Sequence, residues 1–456
     1  MICVQAGQCG NQLGLSLLNS LYDHLQPLSA HGEYNGELEA FFRPSDGGAE
    51  AALGFFGDYY ASHPQYATHA PKLKARAVCI DTEPKVVNDV YSRSCAQNGW
   101  QYEANNVLYR HGGAGNNWAL GYQMCGGPLL QEALGAVRQE LEACDRAPCL
   151  LTLHSTAGGT GSGLGTRYSE ALAERFPEVP RINVCVAPYH FGEVAVQHYN
   201  SVLCLAKTSA ASDAVLLFEN EVAQQLCRQM LRIDSPSLQD INSVLAGNMV
   251  PFLLPKKRYG GRAACSSLPD DVATLCAHPA YRFLETRCAP QTARNAVEFT
   301  YDKWESLSAT VRRMLQAGVA CERAAIKESA GMRCKRAIGS IFALRGPDAA
   351  SAESAAAALL EDPVLRALHK PLLPSPMQVF HSPHAVNGYQ RSVSALTNGS
   401  SCLPVLQRAA ERAASMLRAG AYLHQYESYG LEQTEMVDCF RRIGQSIEDY
   451  KSLDSH

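Results

Sequence analysis

The fold is decided by CLLTLHSTAGGTGSGLGTRYSEALAER, residues 149–175. Cys149 to Leu153 is a short apolar run with the length of a buried strand. Ser155 to Gly165 is built almost wholly from Ser, Thr, Gly and Ala, and from Arg167 onward the composition is helical. Gly158, Gly159, Gly161, Gly163 and Gly165 remove side chains where another group approaches the backbone closely. A Gly-rich turn entering a helix gathers free N–H groups and the positive end of the helix dipole at one spot, a geometry that suits phosphate. No Lys follows in the P-loop spacing, and G-x-G-x-x-G does not occur in register, so neither a P-loop nor a dinucleotide fingerprint is supported. A flexible Gly/Ser linker is the alternative. Direct flanking by a strand and a helix argues against it.

The same layout recurs outward from this loop. Ile2 to Ala6 is an apolar run, followed by Gly7-Gln8-Cys9-Gly10-Asn11-Gln12 and a helical stretch from Leu13 to Leu25. Ala77 to Ile80 is a third apolar run, ending in Asp81-Thr82-Glu83-Pro84. Two carboxylates two apart on an extended chain point to one side, where they could face a Mg²⁺ ion beside a phosphate. On spacing alone a solvated acidic turn stopped by Pro84 is favoured. Tyr109 to Trp118 gives another small-residue turn, with a helix from about Gly127 to Cys144. Arg181 to Pro188 and Ala214 to Phe218 continue the strand series, with helices from about Val196, from Glu219-Asn220-Glu221 to Leu231, and from about Ser237 to Ala246. Strands alternating with helices predict an α/β fold, a doubly wound and mostly parallel sheet whose ligand sits at the carboxyl ends of the strands.

After Val250 the character changes. Pro251, Pro255, Lys256-Lys257-Arg258 and Gly260-Gly261 suggest a boundary, the basic triplet reading as a solvated loop. The expected division is a nucleotide-binding domain over residues 1–250, an intermediate α/β domain over 251–385 and a helical region over 386–456. Strand candidates are Val297 to Thr300, Ile338 to Leu344 and Gln378 to Phe380. Ala349 to Leu360 is Ala-rich and helix-compatible, and Pro404 to Tyr450 is helical with a break near Tyr429-Gly430. Residues from about His31 to Pro71 read as long loops, with local structure around Leu38 to Phe42 and Phe55 to Tyr60.

Composition bounds the function classes. The chain has 456 residues, enough for two or three domains, and 46% apolar with 18% charged residues reads as globular. A net charge of −4 argues against nucleic acid as the main partner. Seventeen cysteines without C-x-x-C or zinc spacing, and no leading signal segment, read as reduced cytosolic thiols. No apolar run approaches the ~20 residues of a membrane span. Neither G-x-S-x-G nor H-E-x-x-H occurs, so triad-hydrolase and zinc-protease readings lack support.

The segments Gly7 to Gln12, Asp81 to Pro84, Gly113-Ala114-Gly115-Asn116-Asn117-Trp118-Ala119 and Gly158 to Gly163 together resemble the tubulin family, in order and spacing, over nearly the whole chain. Arg110 to Gly113, His190-Phe191-Gly192-Glu193-Val194 and Ala421-Tyr422-Leu423-His424-Gln425-Tyr426 resemble its delta branch, as does the absence of a Glu-rich tail. The resemblance implies GTP or GDP with Mg²⁺. It implies that Gln8, Cys9 and Gln12 line the nucleotide, that Asp81 and Glu83 lie near the phosphates and Mg²⁺, and that Ala114, Gly115 and Asn116 face the terminal phosphate. It further implies that Ser155, Gly158, Gly159, Thr160 and Gly161 wrap the diphosphate, that Glu193 meets the ribose, and that Asn220 and Asn242 read the guanine edge, for which an amide offers both donor and acceptor.

Two departures stand out: Gln197 replaces a ribose-binding Glu, and Leu238 replaces the ring that stacks on guanine. Losing the ring removes roughly 1 kcal/mol of face contact, so GTP binding is expected to persist more weakly. Asp270 falls near the family's water-activating acid, which acts in trans on the nucleotide of a neighbouring subunit. An exposed Asp pair capping the following helix is the equal alternative. The resemblance thus implies a GTP-binding subunit with low turnover alone and longitudinal contact to another tubulin. It also implies a cytoskeletal setting at centrioles and basal bodies, in triplet microtubules, with components of those structures as partners. A nucleotide-controlled regulator that binds a tubulin without entering a polymer is the second reading, and a free-standing enzyme on a small metabolite the third. Nucleic acid and membrane are not expected partners.

Overall fold

The computed structural model describes residues 1–30, 35–44, 73–96, 99–124, 127–145, 148–192, 194–260, 265–293, 303–328 and 334–455. The strands are β1 (Ile2–Ala6), β2 (Phe42–Arg43), β3 (Leu73–Ala75), β4 (Ala77–Asp81), β5 (Trp100–Gln101), β6 (Val107–Tyr109), β7 (Leu150–Ser155) and β8 (Arg181–Ala187). They continue with β9 (Ala214–Glu219), β10 (Lys256–Arg258), β11 (Cys265–Ser266), β12 (Phe283–Ala289), β13 (Ala337–Arg345), β14 (Met377–Ser382) and β15 (Ser392–Gly399). One 12-stranded sheet runs β11-β10-β14-β13-β15-β12-β9-β8-β7-β1-β4-β6, and β2, β3 and β5 form a small separate sheet.

The half from β6 to β9 is wholly parallel. Chain order reverses at β1, which has β4 on one side and β7 on the other. Such a switch point opens a crevice outside the carboxyl ends of the two strands, where doubly wound sheets bind ligands.

Strand side chains alternate between two buried faces, the signature of a sheet covered on both sides. Ile2, Val4 and Ala6 pack with Val78 and Ile80 under the helices Pro128–Glu142 and Gly165–Arg175, through Leu130, Val137, Tyr168 and Leu172. Cys3, Cys79, Leu151, Leu153 and Val184 face the other way, against Leu13, Leu17 and Leu21 of the helix Gly7–Ala30 and Ile241, Leu245 and Met249 of the helix Leu238–Leu253. A further layer joins Cys185 and Leu217 to the helices Gln197–Ala211, Leu403–Arg418 and Gln433–Asp454.

The helix expected over Ser237 to Ala246 continues to Leu253, carrying the chain straight through residue 250. Ser237 starts it with a capping box: its Oγ accepts from the Asp240 N–H at 3.2 Å, and Asp240 Oδ2 accepts from Ser237 N at 2.8 Å. Its far end is held by buried Arg345, which donates to Pro251 O through Nη2 at 2.7 Å and to Leu254 O at 2.6 Å, supplying donors that terminal carbonyls need.

The basic triplet read as a solvated loop is strand β10, paired with β14 and β11, with Lys256 buried. β12 and β15 likewise had no signal in the pattern. β15 reads SVSALTNG, half hydroxyl and amide, and its presence makes residues 386–456 less than wholly helical. β12 carries Glu285 and Arg287, yet both strands pair along their length and β12 joins the parallel half to the rest by pairing with β9. The expected strand Val297 to Thr300 and the structure around Phe55 to Tyr60 lie outside the described residues.

Candidate functional site

Gly7 follows β1 in a left-handed conformation (φ +71°) and starts the helix Gly7–Ala30. The segment Gly7 to Gln12, expected as a turn before a helix from Leu13, is thus already that helix's first turns. Buried Asn11 then donates to Gly7 O at 2.9 Å and Ile80 O at 3.0 Å, tying this segment to the end of β4. There Thr82 Oγ1 meets Thr160 Oγ1 at 2.6 Å, and Thr82 O accepts from Gly113 N at 3.2 Å. Gly115 and Asn116 are consecutive left-handed residues (φ +52° and +54°), so the chain curls back before Asn117 caps the helix Trp118–Met124. Asn117 Oδ1 accepts from Ala119 N at 2.8 Å and Leu120 N at 3.2 Å.

The glycine loop after β7 packs on these turns. A Cβ at Gly159 would stand 2.5 Å from Ala114 O, whereas one at Gly158 would meet nothing within 4 Å. Thr160–Leu164 forms a wide π-type turn that feeds the helix Gly165–Arg175. Three helices begin beside this crevice, at Gly7, Asn220 and Leu238, adding N-terminal dipoles to the N–H groups of the loops.

One cavity of about 420 Å³ results. It is lined by Gln8, Cys9, Gln12, Asp81, Glu83, Ala114, Gly115, Asn116, Ser155, Gly158, Gly159, Thr160, Gly161, Asn220, Leu238 and Asn242. Val86 and Ile241 complete the wall. Neither was foreseen, although Ile241 lies three residues after Leu238, on the same helix face.

Gln197 lines none of it. It is buried, and its Nε2 donates to Tyr189 O at 3.2 Å, so it shapes the preceding loop instead. Glu193 lies outside the described residues. Leu238 is 53% exposed, so the cavity has an aliphatic wall where a ring would stack.

Asp81 is 4% exposed, with Oδ1 accepting from Thr82 N at 2.7 Å. Burial pushes its carboxyl up to about 6, against hydrogen bonds from the Thr82 and Glu83 amides. A carboxylate buried at the cavity wall, with no ion-pair partner among the described residues, is a fitting partner for Mg²⁺, which takes one or two carboxylates alongside phosphate oxygens. Glu83 is exposed beside it. Burial also raises the Cys9 thiol to about 12, so it contributes bulk and not a thiolate.

Asp270 is elsewhere. Ser267, Asp270 and the helix Leu268–Leu275 form a capping box in which Asp270 Oδ2 accepts from Ser267 N at 2.9 Å and Ser267 Oγ at 2.6 Å. Ser266 to Pro269 line a separate cavity with Met1 and Cys149, the residues that precede β1 and β7. That is the amino end of the sheet, the rim opposite the glycine loops.

Residues 1–228 match the Tubulin/FtsZ family, GTPase domain. The chain belongs to this family. It is 28% identical over 481 residues to the tubulin delta chain of Canis lupus familiaris, and likewise to that of Homo sapiens, covering 99% of this chain and 100% of each relative. It is 26% identical over 462 residues to the tubulin beta-1 chain of Colletotrichum graminicola, covering 99% of this chain and 94% of that one. Family membership accounts for the doubly wound sheet. Among the described residues no helix of this tubulin-family chain is long and apolar enough to cross a membrane.

Proposed function

We propose that this tubulin-family chain holds GTP or GDP with Mg²⁺ in the β1/β7 crevice. The observation that carries the reading is the convergence of four separately encoded segments on one cavity of nucleotide size. In it Gln8, Ala114 to Asn116, Ser155 and Gly158 to Gly161 take the phosphates through backbone and side-chain donors. Asp81, assisted by Glu83, takes the metal, which when bound neutralises phosphate charge. Asn220 and Asn242 present amides to the base, and Leu238 with Ile241 and Val86 supplies aliphatic contact.

The nucleotide then lies at a longitudinal junction with another tubulin, and hydrolysis needs an acid from the neighbour. In this reading Asp270, on the opposite rim from this chain's own crevice, serves a partner's nucleotide and not its own; its place on that rim is consistent with the role. By likeness to tubulin delta chains, the setting is the cytoskeleton, with a part in building or maintaining centriole and basal-body triplet microtubules.

Isothermal titration with GTP and Mg²⁺, followed by microtubule co-sedimentation, tests this. Uptake of guanine nucleotide with co-sedimentation supports the reading. A discrete soluble complex with tubulin supports a regulator instead, and absence of guanine nucleotide uptake ends both.

A further inference from the structure

Asn200, on the helix Gln197–Ala211, is fully buried and uses every hydrogen-bonding position of its amide. Its Nδ2 donates to Asn116 O at 2.8 Å and to Ala157 O at 2.7 Å. Its Oδ1 accepts from Trp118 N at 3.0 Å and from the Tyr426 hydroxyl at 2.6 Å. Three of these partners are backbone groups with fixed roles, so the amide orientation is fixed and Tyr426 must be the donor. One side chain thereby clamps the turn that faces the terminal phosphate to the loop that wraps the diphosphate. Its fourth bond leaves the site for the short helix Leu423–Glu427.

Two further side chains, Asn117 and Lys207, reach the same way. Asn117 Nδ2 donates to Gln425 O at 3.4 Å. Lys207 lies 4.7 Å from the Tyr122 ring centroid, and its Nζ pairs with Glu170 at 3.5 Å and with Glu435 of the helix Gln433–Asp454 at 2.5 Å.

We infer that Asn200 is a positioning residue for both phosphate loops, and that its bond to Tyr426 ties phosphate occupancy to the C-terminal helices. The inference rests on reading the crevice as the nucleotide site. A phosphate that orders the Ala114 to Asn116 turn fixes two carbonyls against Asn200 and so fixes the acceptor that Tyr426 uses. By linkage, whatever holds the helix Leu423–Glu427 in place tightens nucleotide binding by the same factor that nucleotide protects that helix.

Tyr426→Phe removes one hydroxyl and keeps the ring that packs edge-on to Tyr199, centroids 5.5 Å apart. Tyr199→Phe is the control, because the Tyr199 hydroxyl is buried without a hydrogen-bond partner among the described residues. GTP·Mg²⁺ affinity is measured by titration calorimetry, and amide exchange across residues 423–429 is followed with and without nucleotide. Tyr426→Phe is expected to weaken binding about 3- to 10-fold and Tyr199→Phe less than about twofold, the range of one hydrogen bond. Nucleotide-dependent protection of residues 423–429 is expected in the wild type and lost in Tyr426→Phe. No uptake by the wild type overturns the site reading and this one together. Uptake unchanged in Tyr426→Phe overturns this one alone. If that variant does not fold, wild-type exchange at residues 423–429 that ignores nucleotide overturns it equally.

Discussion

Gly7 and Gly161 meet backbone to backbone: a Cβ on Gly7 would stand 2.7 Å from the amide nitrogen of Gly161. The start of the first helix and the glycine loop thus share one layer of space, and neither neighbour can yield by rotating a side chain. Gly7→Ala adds a left-handed alanine, at about 1–2 kcal/mol, to that collision. The expected outcome is a chain destabilised by about 2 kcal/mol or more, with weaker GTP uptake, read by denaturant unfolding and titration.

Leu238 offers the complementary experiment, a gain. It is half exposed and lines the cavity beside Ile241. Leu238→Tyr supplies a face for the base without displacing a packed core residue. GTP binding is expected to tighten by about fivefold, equivalent to about 1 kcal/mol, with little change in melting temperature.

Asp81 separates metal binding from fold stability. Burial already holds its carboxyl at about 6, so ionisation costs the empty protein stability. Asp81→Asn keeps an acceptor for Thr82 N and removes that cost. The empty protein is expected to melt no lower than wild type, while the Mg²⁺-dependent part of GTP affinity falls by about tenfold. Glu83→Gln, at an exposed position, is expected to lose less.

The parallel half of the sheet was legible because Ile2 to Ala6, Ala77 to Ile80, Cys149 to Leu153 and Arg181 to Pro188 are apolar runs between turn residues, buried on both faces. The cavity was legible because glycines mark loops that touch, as Gly159 does Ala114. β12 and β15 were not, since their partners satisfy polar side chains that a hydrophobic pattern counts as loop. Asn398 in β15, for example, is fully buried and donates to Leu275 O at 3.0 Å and Tyr281 O at 2.9 Å. Gln197 differs for a related reason: a motif position fixes a residue's place in the chain, not where a side chain whose carboxylate has become an amide finds its partner, here Tyr189 O. Asn200, Tyr426 and Lys207 were invisible because the Asn200 bonds span 43 to 226 residues and Lys207 joins different helices.

His369 gives a pH signature away from the crevice. Burial lowers its pKa below the ordinary 6.5, opposed by the hydrogen bond to Leu365 O. Nδ1 donates to Leu365 O at 2.7 Å, so Nε2 accepts from Ser340 Oγ at 2.8 Å and must stay neutral to do so. The folded pKa lies below the unfolded one, so the stabilisation is complete above about pH 6.5 and is lost as pH falls through 6.5 toward the folded value. His369→Gln is expected to flatten that part of the stability profile in urea titrations between about pH 7 and pH 5.

Asp270 and Asp271 are adjacent and do opposite work. Asp271 is 1% exposed and pairs with Lys256 Nζ at 2.7 Å, with Ser266 Oγ donating to its other oxygen at 2.8 Å. Burial raises the pKa of Asp271 and lowers that of Lys256, and their mutual attraction opposes both shifts. Removing one partner leaves the other charge stranded, so Asp271→Asn is expected to cost about 3–5 kcal/mol and to lower the melting temperature sharply. Asp270 is an exposed cap at the same helix start, and Asp270→Asn is expected to cost about 1 kcal/mol or less. If it also serves a neighbouring subunit's nucleotide, GTP turnover by the isolated chain stays slow and unchanged in Asp270→Asn, whereas turnover in a mixture with tubulin drops. Fast turnover by the purified monomer, indifferent to Asp270→Asn, would place the water-activating group within this chain's own crevice and remove the partner from the chemistry.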